Sequence, residues 1–354
     1  MLRLSAVLLL LALTARADDK IQAEFIFEEA PFASCHAATL VALSSGDLLA
    51  AWFGGSREGA PDVAIWGARK SGGAWSTPFE LAREPHIATY NPVLFFSRDG
   101  TLWLYYKFGP HPDEWTGARR TSHDEGRTWS PVEHLPAGLY GPIKNKPLAL
   151  ADGTIVSGVS AESYLSWACW VERSTDNGRT WTKHGPITVP PAFDIESAST
   201  PPPSGLGAEA EDRPHGIIQP TVVPLSDGRL RMFVRSTPSI GRICYADSRD
   251  RGMTWTDARP TLLPNPNSGI DSVRLQDGRI LIVYNHSTHE RTPLNVAVSS
   301  DDGDTWKPLA TLESARGEYS YPVVIQTADG NVHILYTWNR RKIKHVTLAA
   351  KLYP

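Results

Sequence analysis

Short runs of alternating apolar and polar residues, separated by Asp/Gly turns, recur along the whole chain. The runs HAATLVAL and LLAAWFG flank Gly46-Asp47, and the runs DSVRL and ILIVYN flank Asp277-Gly278. Period-two alternation on both sides of a glycine turn is typical of a β-hairpin. The pattern therefore predicts six hairpins, with turns at Gly46-Asp47, Asp99-Gly100, Asp152-Gly153, Asp227-Gly228, Asp277-Gly278 and Asp329-Gly330.

A second motif, Ser-x-Asp-x-Gly-x-Thr-Trp, follows the hairpins in phase. Its aspartate can accept nearby backbone hydrogen bonds, its glycine supplies a positive φ, and its tryptophan packs the turn on the sheet, so we interpret it as structural. The hairpin glycines are 54, 53, 75, 50 and 52 residues apart. This spacing predicts an all-β fold, a six-bladed β-propeller. The motif lies at Ser122–Trp129, Ser174–Trp181, Ser248–Trp255 and Ser299–Trp306, with a degenerate copy at Ala68–Trp75.

The two ends of the repeat region predict how the propeller closes. The sixth repeat has room for only three strands before Pro354, so we expect residues 23–29 to supply its fourth strand. The one long interval contains a proline-rich segment at residues 189–216, which predicts a surface insertion. We therefore expect residues 18–354 to form a single domain.

Composition excludes several classes of protein. Lys and Arg number 35 against 38 Asp and Glu, for a net charge of -3, so a nucleic-acid binder or a polybasic membrane surface is not expected. Residues 1–17 combine Arg3, a short apolar core and the site Ala15-Arg16-Ala17, which is typical of a signal peptide. No later apolar run approaches the roughly 20 residues of a membrane span. We expect a secreted or periplasmic protein, and a monomer.

Polar residues open the predicted inner strands, where a structural strand would favour apolar ones. Asn91-Pro92, Gln219-Pro220 and Tyr321-Pro322 stand at the same distance from their hairpin glycines. One end of the central channel of the predicted propeller should therefore carry a ring of polar side chains, the pattern of a binding site. The ring comprises His36, Tyr90, Asn91, Lys144, Asn145, Lys146, Gln219, Asp271, Tyr319 and Tyr321.

The repeated motif on six units resembles the sialidase (neuraminidase) superfamily, over essentially the whole predicted mature chain. The segment beginning VRSTPSIGR is similar to the one bearing the second arginine of the sialidase carboxylate-binding triad, here Arg235, and the segment LIVYNHSTHERTP to the one with the third, Arg291. The segment EYSYPVVIQ is similar to the region of the nucleophilic tyrosine, which implies Tyr319 or, by phase, Tyr321. FGGSREGAPDVAIW implies Asp62 as acid/base.

Two positions depart from the sialidase pattern. Sialidases begin with an arginine-containing motif that supplies the first arginine of the triad, whereas this chain has His36 at about that position. Sialidases also place a glutamate before the fourth hairpin to take the proton of the tyrosine, whereas this chain has Gln219. Because a glutamine cannot accept that proton, the resemblance implies the fold more strongly than the reaction.

The residue types suggest chemistry of their own. Two arginines that face the same end of the central channel suit a carboxylate, which indicates an acidic sugar such as sialic acid or a uronic acid. His36 can serve as general base or acid, because its ordinary pKa is near neutrality. A carboxylic acid at Asp62 could protonate a leaving oxygen. The remaining candidates for sugar contact are Arg57, Glu58, Asn91, Lys144, Glu162 and Trp167.

Three functions follow from this reasoning. The first is an exported exo-acting glycoside hydrolase on the terminal acidic sugar of a glycan. The second is a hydrolase or lyase on a uronate- or rhamnose-containing polysaccharide, in which His36 and a tyrosine transfer protons and Gln219 only binds. The third is a non-catalytic glycan-binding propeller. No metal and no cofactor are expected.

Overall fold

All six predicted hairpins form, and their turn glycines all have a positive φ, between 82° and 90°. The computed structural model describes residues 21–190 and 214–350. Over these residues the chain is all-β, with one short 3-10 helix at Pro112–Glu114. The predicted signal peptide and most of the proline-rich segment lie outside the described residues. No helix in the described ranges is long and apolar enough to cross a membrane.

The strands follow the repeats of the sequence. Before the first hairpin comes β1 (Ile21–Phe25). The first repeat contains β2 (Ser34–Ala42), β3 (Leu48–Gly55), β4 (Ala64–Ser71), β5 (Ala74–Trp75) and β6 (Phe79–Ala82). The second contains β7 (Thr89–Phe96), β8 (Leu102–Phe108), β9 (Thr116–Ser122) and β10 (Glu133–His134). The third contains β11 (Leu148–Ala149), β12 (Ile155–Glu162), β13 (Ser166–Ser174) and β14 (Thr182–Ile187).

The second half of the chain repeats this order. The fourth repeat contains β15 (His215–Pro224), β16 (Leu230–Ser236), β17 (Arg242–Ser248) and β18 (Arg259–Pro264). The fifth contains β19 (Asp271–Arg274), β20 (Ile280–Asn285), β21 (Leu294–Ser299) and β22 (Lys307–Glu313). The sixth contains β23 (Tyr319–Gln326), β24 (Val332–Trp338) and β25 (Lys342–Leu348).

Within each repeat consecutive strands pair antiparallel, except that β6 pairs with β4 and not with β5. Two further pairings link distant parts of the chain. Strand β1 pairs antiparallel with β25, from Ile21 opposite Leu348 to Phe25 opposite Lys344, so the sheet of the sixth repeat has the order β1-β25-β24-β23. The paired segment begins and ends a few residues earlier than predicted. The sheets of the third and fourth repeats are joined by a two-residue parallel pairing between β13 and β15.

The hydrophobic core lies between neighbouring sheets. One cluster joins the first and second repeats through residues such as Phe53 and Leu104. Another joins the first repeat to the sixth, where Trp52 and Leu40 share a cluster with Leu335. Because inner strands such as β2, β7 and β23 are buried on both faces, the polar positions that open them stand out as exceptions.

The Ser-x-Asp-x-Gly-x-Thr-Trp turns have the structural role predicted for them. In the fourth complete copy Asp301 accepts hydrogen bonds from the Ser299 hydroxyl (2.7 Å) and the Thr305 N–H (2.9 Å). Gly303 has a φ of 91°, and a Cβ there would lie 2.6 Å from the ring of Phe233, so only glycine fits. Each turn is therefore held by its own hydrogen bonds and by packing against the neighbouring sheet.

Candidate functional site

The same irregularity occurs at the start of four inner strands. In β2, β7, β15 and β23 the antiparallel register shifts, and one residue in each shift has a positive φ, a conformation uncommon outside glycine. Each of these residues stands nine positions before its hairpin glycine. A bulge of this kind re-aims a side chain and is frequent beside active sites. The residues and their φ angles are Ala37 (56°), Asn91 (40°), Gln219 (56°) and Tyr321 (54°).

Tyr321 is the centre of the site. Its hydroxyl oxygen accepts a hydrogen bond from the Arg235 guanidinium (Nη1 to Oη, 2.7 Å) and another from the Gln219 amide (Nε2 to Oη, 3.1 Å). The Gln219 Oε1 accepts from the same Arg235 nitrogen at 3.2 Å. Both partners of the phenol act as donors, so neither takes its proton. The geometry agrees with the expectation that Gln219 cannot act as the base.

Two predicted arginines converge on this tyrosine. The guanidinium carbons of Arg235 and Arg291 each lie 5.7 Å from the Tyr321 ring centre. Asn267 orients both of them, because its side-chain oxygen accepts from Arg235 Nε at 2.7 Å and its backbone oxygen accepts from Arg291 Nη2 at 3.4 Å. Asn267 belongs to the connection before β19, and no motif in the sequence marks it.

A third guanidinium, that of Arg340, joins the cluster, and sequence reasoning missed it. Its Nε donates to Glu318 Oε1 at 2.8 Å, and the same oxygen accepts from Arg291 Nη1 at 2.9 Å. Its Nη1 forms an ion pair with Glu58. Glu318 thus bridges two arginines, and the positive charge of both counteracts the effect of its burial and lowers the pKa of its carboxyl.

Arg340 approaches the site from the turn after β24. Its φ of 56° is left-handed, and its backbone oxygen accepts a hydrogen bond from the Cys35 N–H at 2.9 Å. This contact places it beside His36, which stands at about the position where the resemblance to sialidases expects the first arginine. In the sequence Arg340 stands within the basic run RRKIK, at a position unrelated to the starts of the inner strands, so no spacing argument selects it.

His36 lies against Tyr321 and is buried, with 1% of its surface exposed. The ring centres are 4.1 Å apart, and His36 Nδ1 is 2.9 Å from the Thr337 hydroxyl. Its Nε2 is buried and has no hydrogen-bond partner in the described part of the chain. Burial, together with the nearby positive charges, holds the pKa of His36 well below its ordinary value, so the ring is neutral. The cations responsible are Arg340, Arg291, Arg235 and Lys144.

Tyr319, the first choice for the nucleophile, points away from this cluster. It is buried in the apolar core between the fifth and sixth repeats, with its ring centre 6.4 Å from that of Trp338. Strict alternation would turn Tyr319 and Tyr321 to the same face. The register shift after Ser320 and the positive φ of Tyr321 separate them, so that only Tyr321 reaches Arg235.

The loop between β3 and β4 also differs from expectation. Asp62 is exposed and binds back onto its own loop, because its carboxylate accepts from the Ser56 hydroxyl and the Ser56 N–H, both at 2.9 Å. These bonds lower the pKa of Asp62, which disfavours the protonated form that an acid needs. Arg57 is exposed, and its side chain has no ion pair in the described ranges. Glu58 is the residue of this loop that reaches the cluster.

Lys144 supports the site from within the protein. Its ammonium donates to Asn145 Oδ1 (2.8 Å), to the Ile270 carbonyl (3.0 Å) and to the Pro322 carbonyl. It lies 5.8 Å from the ring centre of Tyr321, and burial lowers its pKa to about 7. Three protein acceptors leave it poorly placed to bind substrate, contrary to expectation. Its position under the tyrosine makes it a support for that ring.

Two further predicted residues differ in their surroundings. Asn91 is 3% exposed, and its amide nitrogen is buried without a hydrogen-bond partner in the described residues. Glu162 ends β12 opposite Trp167, whose ring centre is 5.9 Å from the Arg235 guanidinium. An open cleft of about 340 Å³ leads outward from Arg291 and is lined also by Glu290, Arg316, Gly317 and Glu318.

This arrangement, an all-β fold with arginines gathered around one tyrosine, is that of a sialidase-like protein. The sequence matches the BNR repeat-like domain over residues 46–334, and the chain belongs to that family. The anhydrosialidase of Macrobdella decora is 25% identical over 282 residues, which cover 69% of this chain but only 33% of that relative.

Solved structures confirm the likeness of the fold. The NanB sialidase of Streptococcus pneumoniae superposes with a TM-score of 0.72 at 14% identity, covering 93% of this chain and 71% of that one. A protein of unknown function from Dyadobacter fermentans gives a TM-score of 0.75 at 17% identity, covering 93% and 98%. At such identities the superpositions establish a shared fold, and the reaction has to be argued from the site.

Proposed function

We propose that this protein is an exo-acting glycoside hydrolase that removes a terminal acidic sugar, sialic acid or a uronic acid, from a glycan. The relationship to an anhydrosialidase and to sialidase structures supports the reaction class. The acidic character of the sugar is inferred from the site itself. We extend the proposal to an exported monomer whose residues 1–17 are removed as a signal peptide.

The observation that carries the proposal is the convergence of Arg235 and Arg291 on Tyr321, with Arg340 joined to Arg291 through Glu318. Guanidinium groups bind a carboxylate through paired, charge-assisted hydrogen bonds, which are stronger than neutral ones. Three of them oriented by Asn267, Glu318 and Glu58 form a preorganised anion site. A sugar carboxylate held there would place the adjoining ring carbon next to the Tyr321 hydroxyl.

In this proposal Tyr321 attacks the anomeric carbon and His36 takes the phenolic proton. Gln219 and Arg235 donate to the phenol oxygen and would stabilise its negative charge as it forms. His36 is the neutral, partnerless group beside the tyrosine. Asn91 and Glu58 would contact the sugar hydroxyls.

The proposed architecture is a six-bladed propeller closed by β1 in the last blade. The pairing of β1 with β25 and the shared core of the first and sixth repeats support closure. The carboxylate of Asp271 supports a common axis, because it accepts from Lys146 (2.7 Å), Thr221 (2.8 Å) and the Val324 N–H (2.8 Å), which belong to the third, fourth and sixth repeats.

The experiment is a sugar-release assay of the purified protein. The panel contains sialylated glycans, glucuronate-capped and rhamnose-capped oligosaccharides, and the same glycans with the carboxylate reduced to an alcohol. We expect release of the acidic sugar alone. Equal release from the reduced glycans would contradict the role of the arginines, and binding without release from every member would indicate a glycan-binding propeller.

A second function, a uronate lyase, is favoured by one specific observation. Gln219 replaces a proton acceptor and neutral His36 lies against Tyr321. In a β-elimination His36 would remove the proton next to the carboxylate, the arginines would stabilise the resulting anion, and Tyr321 would protonate the leaving oxygen. The products would be an unsaturated uronate and an alcohol.

The two reactions need differently linked glucuronates and give different products. On a glucuronate-capped oligosaccharide, hydrolysis in H₂¹⁸O places the label in the released glucuronate. On an oligosaccharide whose glucuronate carries rhamnose on O4, elimination expels the rhamnose and leaves an unlabelled unsaturated uronate with the ultraviolet absorbance of a conjugated alkene. Mass spectrometry of the product therefore decides between the two functions.

A further inference from the structure

Glu162 stands at the mouth of the site on the tip of a hairpin. Strand β12 ends at Glu162, and Glu162 pairs with Trp167 on β13. The guanidinium of Arg235, which donates to Tyr321, lies against the same Trp167 ring. The side chain of Glu162 is therefore beside the arginine cluster, where the charges of Arg235 and Glu58 both act on it.

The carboxyl of Glu162 differs from the other carboxyls around the site. Glu318 binds two arginines, Glu58 binds Arg340, and Asp62 binds Ser56. Glu162 has no hydrogen bond or ion pair to any of the described residues. It is half-buried, so it is neither fully hydrated nor compensated by a partner.

The surroundings of Glu162 favour its protonated form. Burial raises the pKa of its carboxyl, and the charges of Asp113 and Glu58 act in the same direction. The positive charges of Arg235 and His111 act in the opposite direction and are outweighed. A carboxyl that holds its proton closer to neutral pH than an ordinary glutamate can deliver that proton to a substrate.

We propose that Glu162 is the general acid of the site, the role that the resemblance to sialidases had assigned to Asp62. This inference rests on the proposed hydrolase. As the Tyr321 oxygen bonds to the anomeric carbon and His36 takes its proton, the Glu162 carboxylic acid donates a proton to the glycosidic oxygen. The bond between that oxygen and the anomeric carbon breaks, its electron pair stays on the oxygen, and the second sugar leaves as an alcohol. Water then attacks the anomeric carbon and gives a proton to the Glu162 carboxylate, while the bond to Tyr321 breaks and the tyrosine oxygen recovers its proton from His36.

The test compares two substrates that differ in whether their leaving group has to be protonated. The wild type and Glu162→Gln are assayed on sialyllactose and on 4-nitrophenyl sialoside, or on the corresponding glucuronides if those are the sugars released. A nitrophenolate can leave without being protonated, whereas a sugar leaves only when its glycosidic oxygen receives a proton. We expect kcat to fall by about 100-fold to 10,000-fold on the oligosaccharide and by less than about tenfold on the nitrophenyl glycoside.

The pH profile gives a second readout of the same role. The alkaline limb of kcat/KM on the oligosaccharide should be lost in Glu162→Gln, because the titrating acid has been removed. Glu114→Gln is the matched control, since Glu114 is an exposed carboxylate on the neighbouring 3-10 helix and should keep wild-type rates on both substrates.

Three outcomes would overturn the inference. Equal losses of kcat on the two substrates in Glu162→Gln would show that Glu162 does not protonate the leaving oxygen. The leaving-group-dependent loss appearing in Asp62→Asn would return the acid to the β3–β4 loop. In both cases the hydrolase itself would stand. Release of no sugar by the wild type from either substrate would remove the proposed function and this inference together.

Discussion

The turns of the Ser-x-Asp-x-Gly-x-Thr-Trp motif and the arginine cluster around Tyr321 satisfy polar groups in opposite ways. In the turns, Asp301 finds its donors within four residues, at Ser299 and Thr305. In the cluster, Tyr321 accepts from residues 86 and 102 positions away. Local bonds make the turns self-contained. The long-range bonds of the cluster exist only once the repeats have assembled.

The two regions also differ in which polar atoms stay unbonded. The aspartate and serine of each complete motif are hydrogen-bonded within the turn, although the indole N–H groups of Trp129 and Trp306 are buried without partners in the described residues. Beside Tyr321, the unpaired atom in that part of the chain is His36 Nε2, on a side chain that can accept a proton. The contrast teaches that an unpaired buried atom suggests chemistry only where its side chain can carry it out.

The largest expected effect separates the two tyrosines of β23. Tyr321→Phe should reduce kcat by about 10³-fold or more, because it removes the oxygen on which Arg235 and Gln219 converge. Tyr319→Phe, the matched control in the apolar core, should keep kcat within about threefold of the wild type. Steady-state kinetics on the released sugar measure both. An active Tyr321→Phe would mean that this hydroxyl takes no part in the chemistry.

The next effect concerns the third arginine. Arg340→Ala should raise the KM for the acidic sugar by about 10-fold to 100-fold, as expected for loss of a charge-assisted hydrogen bond. Arg341→Ala, at the exposed neighbouring position, should leave KM unchanged. Competition by the acidic sugar and by its methyl ester adds a check, because Arg340→Ala should weaken only the former. An unchanged KM would limit the anion site to Arg235 and Arg291.

A smaller effect distinguishes the two proposed reactions. Gln219→Glu places a proton acceptor beside the Tyr321 hydroxyl, as in sialidases. If Tyr321 is a nucleophile, hydrolysis should rise by about tenfold, because a positioned base assists its attack. A fall in rate would favour the lyase, in which Tyr321 has to supply a proton. Rates and products are measured together in one assay.

The smallest effect on activity belongs to the turns. Asp301→Ala should lower the free energy of unfolding by about 1 kcal/mol, through lost hydrogen bonds, and should leave kcat and KM unchanged. Hydrogen bonds from Thr305 lower the pKa of Asp301 to about 2. The stability that this aspartate contributes is therefore present above its ordinary pKa and lost as the pH falls toward 2.

Urea unfolding of wild type and Asp301→Ala at pH 7 and pH 2.5 measures this contribution. The difference between the two proteins should shrink at the lower pH. A loss of activity in Asp301→Ala without a loss of stability would contradict the division between scaffold and site.

Much of the site could be predicted from the sequence, because the hairpin glycines fix the position of each residue along its inner strand. The in-phase positions Asn91, Gln219 and Tyr321 share one bulge geometry. Arg235 and Arg291, the two arginines that the resemblance selected, each lie 5.7 Å from the Tyr321 ring centre. The structure differs from expectation where side-chain direction depends on a bulge or on the path of a loop.

Tyr319 and Asp62 are the two candidates whose side chains the structure places away from the arginine cluster. Period-two alternation cannot distinguish Tyr319 from Tyr321. Which of the two faces Arg235 depends on a register shift that one sequence does not reveal. The motif around Asp62 cannot show that Ser56 occupies its carboxylate while Glu58 reaches Arg340. The first outcome depends on a register shift within one hairpin. The second depends on the folded path of the β3–β4 loop, which brings Ser56 to Asp62 and Glu58 to Arg340.

The sequence by itself determined the all-β class, the six hairpins and the hydrogen-bonded turns, because each of these is set by residues a few positions apart. Tertiary structure alone decided that Arg340 stands beside His36, that Asn267 and Glu318 orient the arginines, and that Glu162 is left without a partner. Those features depend on pairs of residues from different repeats. Their distances are set by how the sheets pack, which local spacing does not encode.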